Sequence, residues 1–410
     1  MQYAVVYFYD TIIVLNRIIK FAIMSFFLCS SLFATEPKHS PPSITIPLHY
    51  HPQFGIYTAF IHVGQNPVQS VEAIVDTGSS NMVFIANQKY CPSCSHALTK
   101  GYIDPFKINK QSSHKLITIS YGSAHDTAIE YIAPIQYINN QKKPLLMNIF
   151  VLKYSSQPTS IIGMVQQNLI KEPVKSTTFL IKMTDHFNKY NILSFVLCGN
   201  KGDSYFQIGP INLEKPLLQT KLISSHYYEI NTFGFYDEHE QMIVKPIQNI
   251  GKAILDTGTG GFIVLTEHLN KSLNEYLFQH AGRKNQKLGK YFWNKNDCVP
   301  QESIDFNAFP LIKIALQTMN NNQPYYLRIK PTTYINQAGC DNGYVRLIFT
   351  SGLPPNHPTA IRNYYDRAAR GVHPDMVIGT ALLNDYATKM VFTSQPYIEL
   401  YDNKDLCVKK

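Results

Sequence analysis

Val75-Asp76-Thr77-Gly78-Ser79-Ser80 and Leu255-Asp256-Thr257-Gly258-Thr259-Gly260 are nearly the same phrase written twice, once in each half of the chain. Each follows an apolar run, Ala73-Ile74-Val75 or Ala253-Ile254-Leu255, that reads as a buried strand. The Gly two residues after each Asp permits a tight turn in which the backbone approaches a neighbour that a Cβ would push away. Each carboxylate is therefore expected on a turn at a strand end. One Asp-Thr-Gly is unremarkable in a turn. Two of them, each behind an apolar strand, point to a duplicated unit that brings two carboxyls together.

The remaining composition suits such a unit. A chain of 410 residues is too long for one ordinary core and suits two lobes. With 45% hydrophobic and 16% charged residues it is globular, and 27 Tyr and 23 Phe beside one Trp lean towards β-structure. The net charge of +9 is spread without a dense run or a basic–aromatic motif, so it reads as a solvated surface, and no nucleic-acid partner is expected. The His residues are scattered without a ligand-like spacing, so neither a metal nor a cofactor is expected. No Gly-x-Ser-x-Gly elbow supports Ser79 or Ser80 as a nucleophile.

Two apolar stretches near the start, 4–15 and 21–34, are separated by Arg17 and Lys20. The second ends Ser31-Leu32-Phe33-Ala34 and reads as a signal peptide spanning 1–34 and cleaved after Ala34, which places the protein in a secreted or periplasmic setting. The alternative is an uncleaved membrane anchor. Removal of Cys29 leaves six cysteines, an even count that suits an oxidising compartment. Cys91-Pro-Ser-Cys94 is read as a local disulfide ahead of a redox or half-zinc motif, Cys298 and Cys340 form a natural second pair, and Cys198 and Cys407 remain by elimination.

Residues 35–54 read as a short, Pro-rich polar extension. Alternating strands are expected at 56–64, before a turn at Asn66-Pro67, and at 116–123 and 129–138, the last two forming a hairpin with Tyr121 near its bend. Further strands are expected at 147–154, 160–163, 192–197, 205–209, 227–230, 309–316, 325–329 and 376–380. A helix is expected at 267–281, a short one at 165–170, a polar loop at 283–296 and a surface insertion at 354–375. The halves divide near Asn212, giving lobes over 55–212 and 213–410. Many short strands and one repeated strand–turn motif amount to a duplicated, all-β fold.

Two carboxyls held together cannot both ionise cheaply and share a proton. The ionised member can take a proton from a water attacking a carbonyl while the protonated member donates to the carbonyl oxygen. Thr77 and Thr257 are placed to lock the two turns together. Ser79 and Thr259 are placed to hydrogen-bond the carboxyls.

On these residues the chain resembles the pepsin-type (A1) aspartic endopeptidases, over about Tyr57 to Phe392. Besides Asp76 and Asp256 with Thr77, Gly78, Ser79, Thr257, Gly258 and Thr259, the likeness includes Ile119-Ser120-Tyr121-Gly122-Ser123, similar to the flap hairpin whose Tyr closes over substrate. Ile161-Ile162-Gly163 and Val377-Ile378-Gly379 are similar to the apolar-apolar-Gly element of each lobe. The resemblance implies a bilobal acid-protease fold, two β-barrel-like lobes related by a pseudo-twofold with the cleft between them. It also implies disulfides at Cys91–Cys94 and Cys298–Cys340, polypeptide substrates, acid-favoured cleavage, binding of pepstatin-type inhibitors and a monomer. The short segment before the first strand resembles the bacterial relatives of pepsin, which lack a conventional zymogen segment. The chain departs from the family pattern at Val83, where a Trp usually steadies the flap Tyr, and at Ala124, Ser160, Gly260 and Thr380. The alternative function is a non-catalytic binding protein that keeps the two-lobed fold.

Overall fold

The computed structural model describes residues 43–65, 67–108, 110–121, 124–137, 144–165, 178–186, 191–209, 211, 213, 215–224, 227–320, 323–352 and 374–408. The first half supplies strands β1 (Ile44–His51), β2 (Ile56–Val63), β3 (Gln69–Asp76), β4 (Met82–Phe84), β5 (Lys110–Tyr121), β6 (Ala124–Gln136), β7 (Leu145–Ser155), β8 (Ile161–Gly163), β9 (Ile192–Val196) and β10 (Ser204–Ile208), with helix α1 (Phe179–His186) between β8 and β9. The second half begins with β11 (Leu218–Lys221), β12 (Glu229–Tyr236), β13 (Met242–Val244), β14 (Gly251–Leu255) and β15 (Ile263–Leu265), then helices α2 (Glu267–Ala281) and α3 (Lys290–Lys295). It continues through β16 (Val299–Pro300), β17 (Ile312–Gln317), β18 (Pro324–Ile329), helix α4 (Pro331–Tyr334), β19 (Ile335–Asn336), β20 (Tyr344–Leu347) and β21 (Phe349–Ser351). It ends with β22 (Met376–Ile378), helix α5 (Thr380–Leu383), β23 (Tyr386–Val391) and β24 (Tyr397–Asp402).

Each half presents its aspartate from the middle of a sheet. In a 13-stranded sheet β3 lies between β2, antiparallel to it, and β8, parallel to it. In an 8-stranded sheet β14 lies between antiparallel β12 and parallel β22. The registers correspond: Thr58 faces Ile74 and Ile162 faces Val75, just as Glu229 faces Ile254 and Ile378 faces Leu255. Both central strands are covered on both faces, which is why Ala73-Ile74-Val75 and Ala253-Ile254-Leu255 are unbroken apolar runs, all buried. Helix α2 buries Leu269, Leu273, Leu277 and Ala281, a single four-residue-spaced stripe, against the second sheet. The mainly-β, two-lobed architecture expected from the repeat is the one observed.

Some readings need correction. Ile44–His51, inside the expected extension 35–54, is a strand pairing with both β10 and β2. The polar stretch 283–296 contains α3, because Phe292 and Trp293 bury themselves against α2 and Phe309. Strands β11, β23 and β24 lie beyond residue 212, yet they join the first half's sheet through β23 against β9. The short helix expected at 165–170 and the insertion at 354–375 lie outside the described residues except at Val165, Pro374 and Asp375. Asp375 is no loop tip: its carboxylate accepts from Lys252 N at 2.9 Å. All three disulfides join the expected partners, Cys91–Cys94, Cys198–Cys407 and Cys298–Cys340. Among the described residues no helix is long and apolar enough to cross a membrane.

Candidate active site

Asp76 ends β3 and Asp256 follows β14, and each folds the chain back on itself in the same way. Gly78 N donates to Asp76 Oδ1 at 2.7 Å and Gly258 N donates to Asp256 Oδ1 at 2.8 Å. The glycines also face the opposite acid. A Cβ on Gly78 would lie 2.6 Å from Asp256 Oδ2, and one on Gly258 would lie 2.3 Å from Asp76 Oδ1, so any side chain here would force the carboxyls apart. That close approach is the physical reason for the Gly in each motif.

The threonines weld the two turns. Thr77 N donates to Thr257 Oγ1 at 3.1 Å and Thr257 N donates to Thr77 Oγ1 at 2.9 Å. Each hydroxyl in turn donates to the strand behind the other acid, Thr77 Oγ1 to Leu255 O at 3.0 Å and Thr257 Oγ1 to Val75 O at 2.6 Å. All four bonds are buried, where an unmade one would cost the full desolvation of its group.

The carboxyls form one electrostatic unit. Both residues are 8% exposed, buried but not sealed from solvent. Burial pushes the Asp76 carboxyl well above the usual carboxylate range; the charge of Asp256 and the hydrogen bond between the two acids push it further, while Ser79 and the Gly78 N–H partly offset them. The hydroxyls flanking the acids differ. Thr259 Oγ1 donates to Asp256 Oδ2 at 2.7 Å. Ser79 Oγ is buried and lies near enough to Asp76 to favour its charged form, but it has no well-aligned hydrogen bond among the described residues.

Other expected site residues fall into place unevenly. Tyr121 is the last residue of β5 and pairs with Ala124 across the hairpin, whereas Gly122 and Ser123 lie outside the described residues. Ile161-Ile162-Gly163 forms β8, and Met376-Val377-Ile378 forms β22 with Gly379 directly after it. Four of the five departures have describable surroundings. Val83 is fully buried, opposite Phe150 and Ile161. Ser160 Oγ accepts from Ile85 N at 3.1 Å, a contact a Gly cannot make. Thr380 N donates to Gly260 O at 2.6 Å, and its hydroxyl donates to Gly55 O. Gly260 has φ 68°, and a Cβ there would lie 2.7 Å from Phe54 O, so a Ser would not fit. Among the described residues no cluster of three His, Cys, Asp or Glu is arranged to hold a metal ion.

A sequence model of the eukaryotic aspartyl protease family matches residues 56–325. The chain belongs to that family. The match runs from the start of β2 into β18 and takes in both aspartate turns and the β5–β6 hairpin. It stops before β22, so the second apolar-apolar-Gly element rests on the fold alone. No individual curated protein matches the chain. As a pepsin-like aspartyl protease the chain is a peptidase, a hydrolase acting on polypeptides.

Sequence reasoning missed one correspondence between the halves, that of Tyr57 with Tyr228. Tyr57 precedes the residue that faces Ile74, and Tyr228 precedes the residue that faces Ile254. That equivalence emerges only from strand register, because the loops between tyrosine and aspartate differ in length.

Proposed function

We propose that Asp76 and Asp256 are the catalytic pair of an aspartic endopeptidase that works best in acid. The observation that carries this reading is the cross-braced contact of the two carboxyls, each set against the other turn's glycine. Two carboxyls held this close share one proton. Asp256, whose two oxygens accept from Gly258 N and Thr259 Oγ1, is suited to carry the negative charge. It takes a proton from the attacking water as the water oxygen bonds to the scissile carbonyl carbon. Asp76 gives its proton to the carbonyl oxygen, which makes a neutral gem-diol. Collapse returns a proton to Asp76, breaks the C–N bond and leaves the departing nitrogen protonated by Asp256.

Because Asp76 holds its proton more tightly than an ordinary carboxyl, the working range extends upward from acid and ends as rising pH removes the shared proton. The β5–β6 hairpin, in which β5 ends at Tyr121, is read as the flap that lies along an extended substrate. A pepstatin-type inhibitor would occupy the same cleft, and the enzyme is read as a monomer. Export to a secreted or periplasmic setting is supported by the three disulfides and by the apolar stretch ending at Ala34.

Digestion of a denatured protein at acidic pH tests the reading. Asp76→Asn and Asp256→Asn should each cut the rate by at least about a thousandfold, the scale of losing acid–base and electrostatic catalysis together. Substantial turnover in either variant would overturn it, and wild-type protein that binds peptide without cutting it would establish the non-catalytic alternative.

A further inference from the structure

The first aspartate turn is held from behind by two consecutive amides. Met164 N donates to Asp76 O at 2.8 Å and Val165 N donates to Ser79 O at 2.9 Å, so residues 164 and 165 clamp both ends of the turn. The peptide between them has its own partner in the other half of the chain: Tyr228 Oη donates to Met164 O at 2.5 Å. Tyr228 is 3% exposed and packs its ring against Phe392. Its own carbonyl accepts from Leu255 N at 3.0 Å, one residue before Asp256. One side chain therefore joins the strand that delivers Asp256 to the clamp that fixes Asp76. Burial pushes its hydroxyl far above the usual phenol range, so it remains a donor at every pH at which the enzyme would work.

The geometry points to Tyr228 as a positioning residue of the catalytic pair, acting on Asp76 through the Met164–Val165 peptide. The inference rests on the reading of Asp76 as one of that pair. A donor on Met164 O polarises the peptide and strengthens the Val165 N–H bond to Ser79 O. It also fixes the clamp relative to β14, so that the separation of the carboxyls, and with it the sharing of their proton, depends on the hydroxyl. The equivalent residue, Tyr57, sends its hydroxyl elsewhere. It donates to Asn384 Oδ1 at 2.6 Å and accepts from Gly199 N at 2.7 Å, and it makes no bond to the main chain of either aspartate turn or of its clamp. Tyr57 is thus an internal control of the same size, burial and register.

The test compares Tyr228→Phe with Tyr57→Phe in the full chain, reading kcat, KM and their pH profiles on one fluorogenic peptide, and unfolding midpoints across the same pH range. For Tyr228→Phe the expected result is a kcat lower by about tenfold, the rate equivalent of one buried hydrogen bond, with KM little changed and the pH profile displaced. Tyr57→Phe should lose stability without moving the profile. An unmoved profile in Tyr228→Phe, or an equal displacement in both, would overturn the proposal. If Tyr228→Phe does not accumulate folded, 3-fluorotyrosine at position 228 keeps the shape and makes the donor more acidic, and the same criterion applies. The endopeptidase reading fails separately, if wild type shows no cleavage that Asp76→Asn abolishes. In that case the pH dependence of unfolding still decides whether Tyr228 bears on Asp76.

Discussion

Asp76 and Asp256 arrive on strands matched residue for residue, and across the line where the turns meet their bonds are reciprocal. Behind that line the two sides diverge. Met164 N closes the first turn on Asp76 O, whereas the equivalent amide, Thr380 N, closes the second on Gly260 O. Asp256 has a hydroxyl donor in Thr259, and Asp76 has a misaligned one in Ser79. One strand further out, Thr58 donates to the buried Glu72, which also takes His51 Nε2 at 2.9 Å and Lys100 N at 3.1 Å. At the position equivalent to Thr58, Glu229 has, among the described residues, a loose 3.9 Å approach to Lys252. Where symmetry is needed to place two carboxyls it is kept. Where each half meets its own surroundings it has been lost, and the two carboxyls sit in different hydrogen-bond environments.

The largest test attacks the symmetric part. Thr77→Val and Thr257→Val each orphan one buried amide and one buried carbonyl, so each should cost about 4 kcal/mol, and the two losses should agree within about 1 kcal/mol. Urea unfolding with a constant slope would measure both. A clear inequality would show that the weld is less symmetric than its distances. A smaller effect tests the asymmetry through the β5–β6 hairpin. Asp126, buried in β6 beside Ser155, has its carboxyl pushed by burial from the ordinary 3.8 to about 6, with Ser155 partly offsetting. A carboxyl raised by folding favours the folded state below its ordinary pKa, and that contribution disappears as pH rises through about 6. The fold should therefore lose about 3 kcal/mol between acid and neutral pH, and Asp126→Asn should flatten that slope. An unchanged slope in the variant would assign the acid preference elsewhere. The smallest effect concerns the two hydroxyls. Thr259→Ala should cost about 1 kcal/mol and shift the pH profile of activity, whereas Ser79→Ala should leave stability within about 0.5 kcal/mol of wild type. Equal responses would mean that Ser79 is engaged as Thr259 is.

The two aspartate turns were more legible in the sequence than the connectivity. The paired Asp-Thr-Gly phrases could be read because turn glycines and apolar strands are local signals, and the cysteines because Cys91 and Cys94 are three apart and Cys298 and Cys340 share the second half, which leaves the last two. Strand β1 was hidden: Ile44-Thr45-Ile46-Pro47-Leu48 alternates, but it follows a Pro-rich stretch and its partners lie at residues 204–208 and 56–58. Helix α3 has only six residues, too few for a periodic signal, and the burial of Phe292 and Trp293 defines it. The return of β23 and β24 to the first half's sheet left no local mark, since pairing between distant strands is a property of the whole packing. Tyr228 was invisible for the same reason.

That return has a consequence for how the enzyme comes to exist. Strand β9 lacks its neighbour β23 until residues near 391 have been made, and Cys198 waits for Cys407 across 209 positions. The first half cannot finish its own sheet as it leaves the ribosome. It must wait with a strand edge open while almost the whole second half is synthesised, and such an edge invites pairing with other chains. Folding of this protein should accordingly be slow and late, with the aspartate pair assembled only after the ends of the sheet have met.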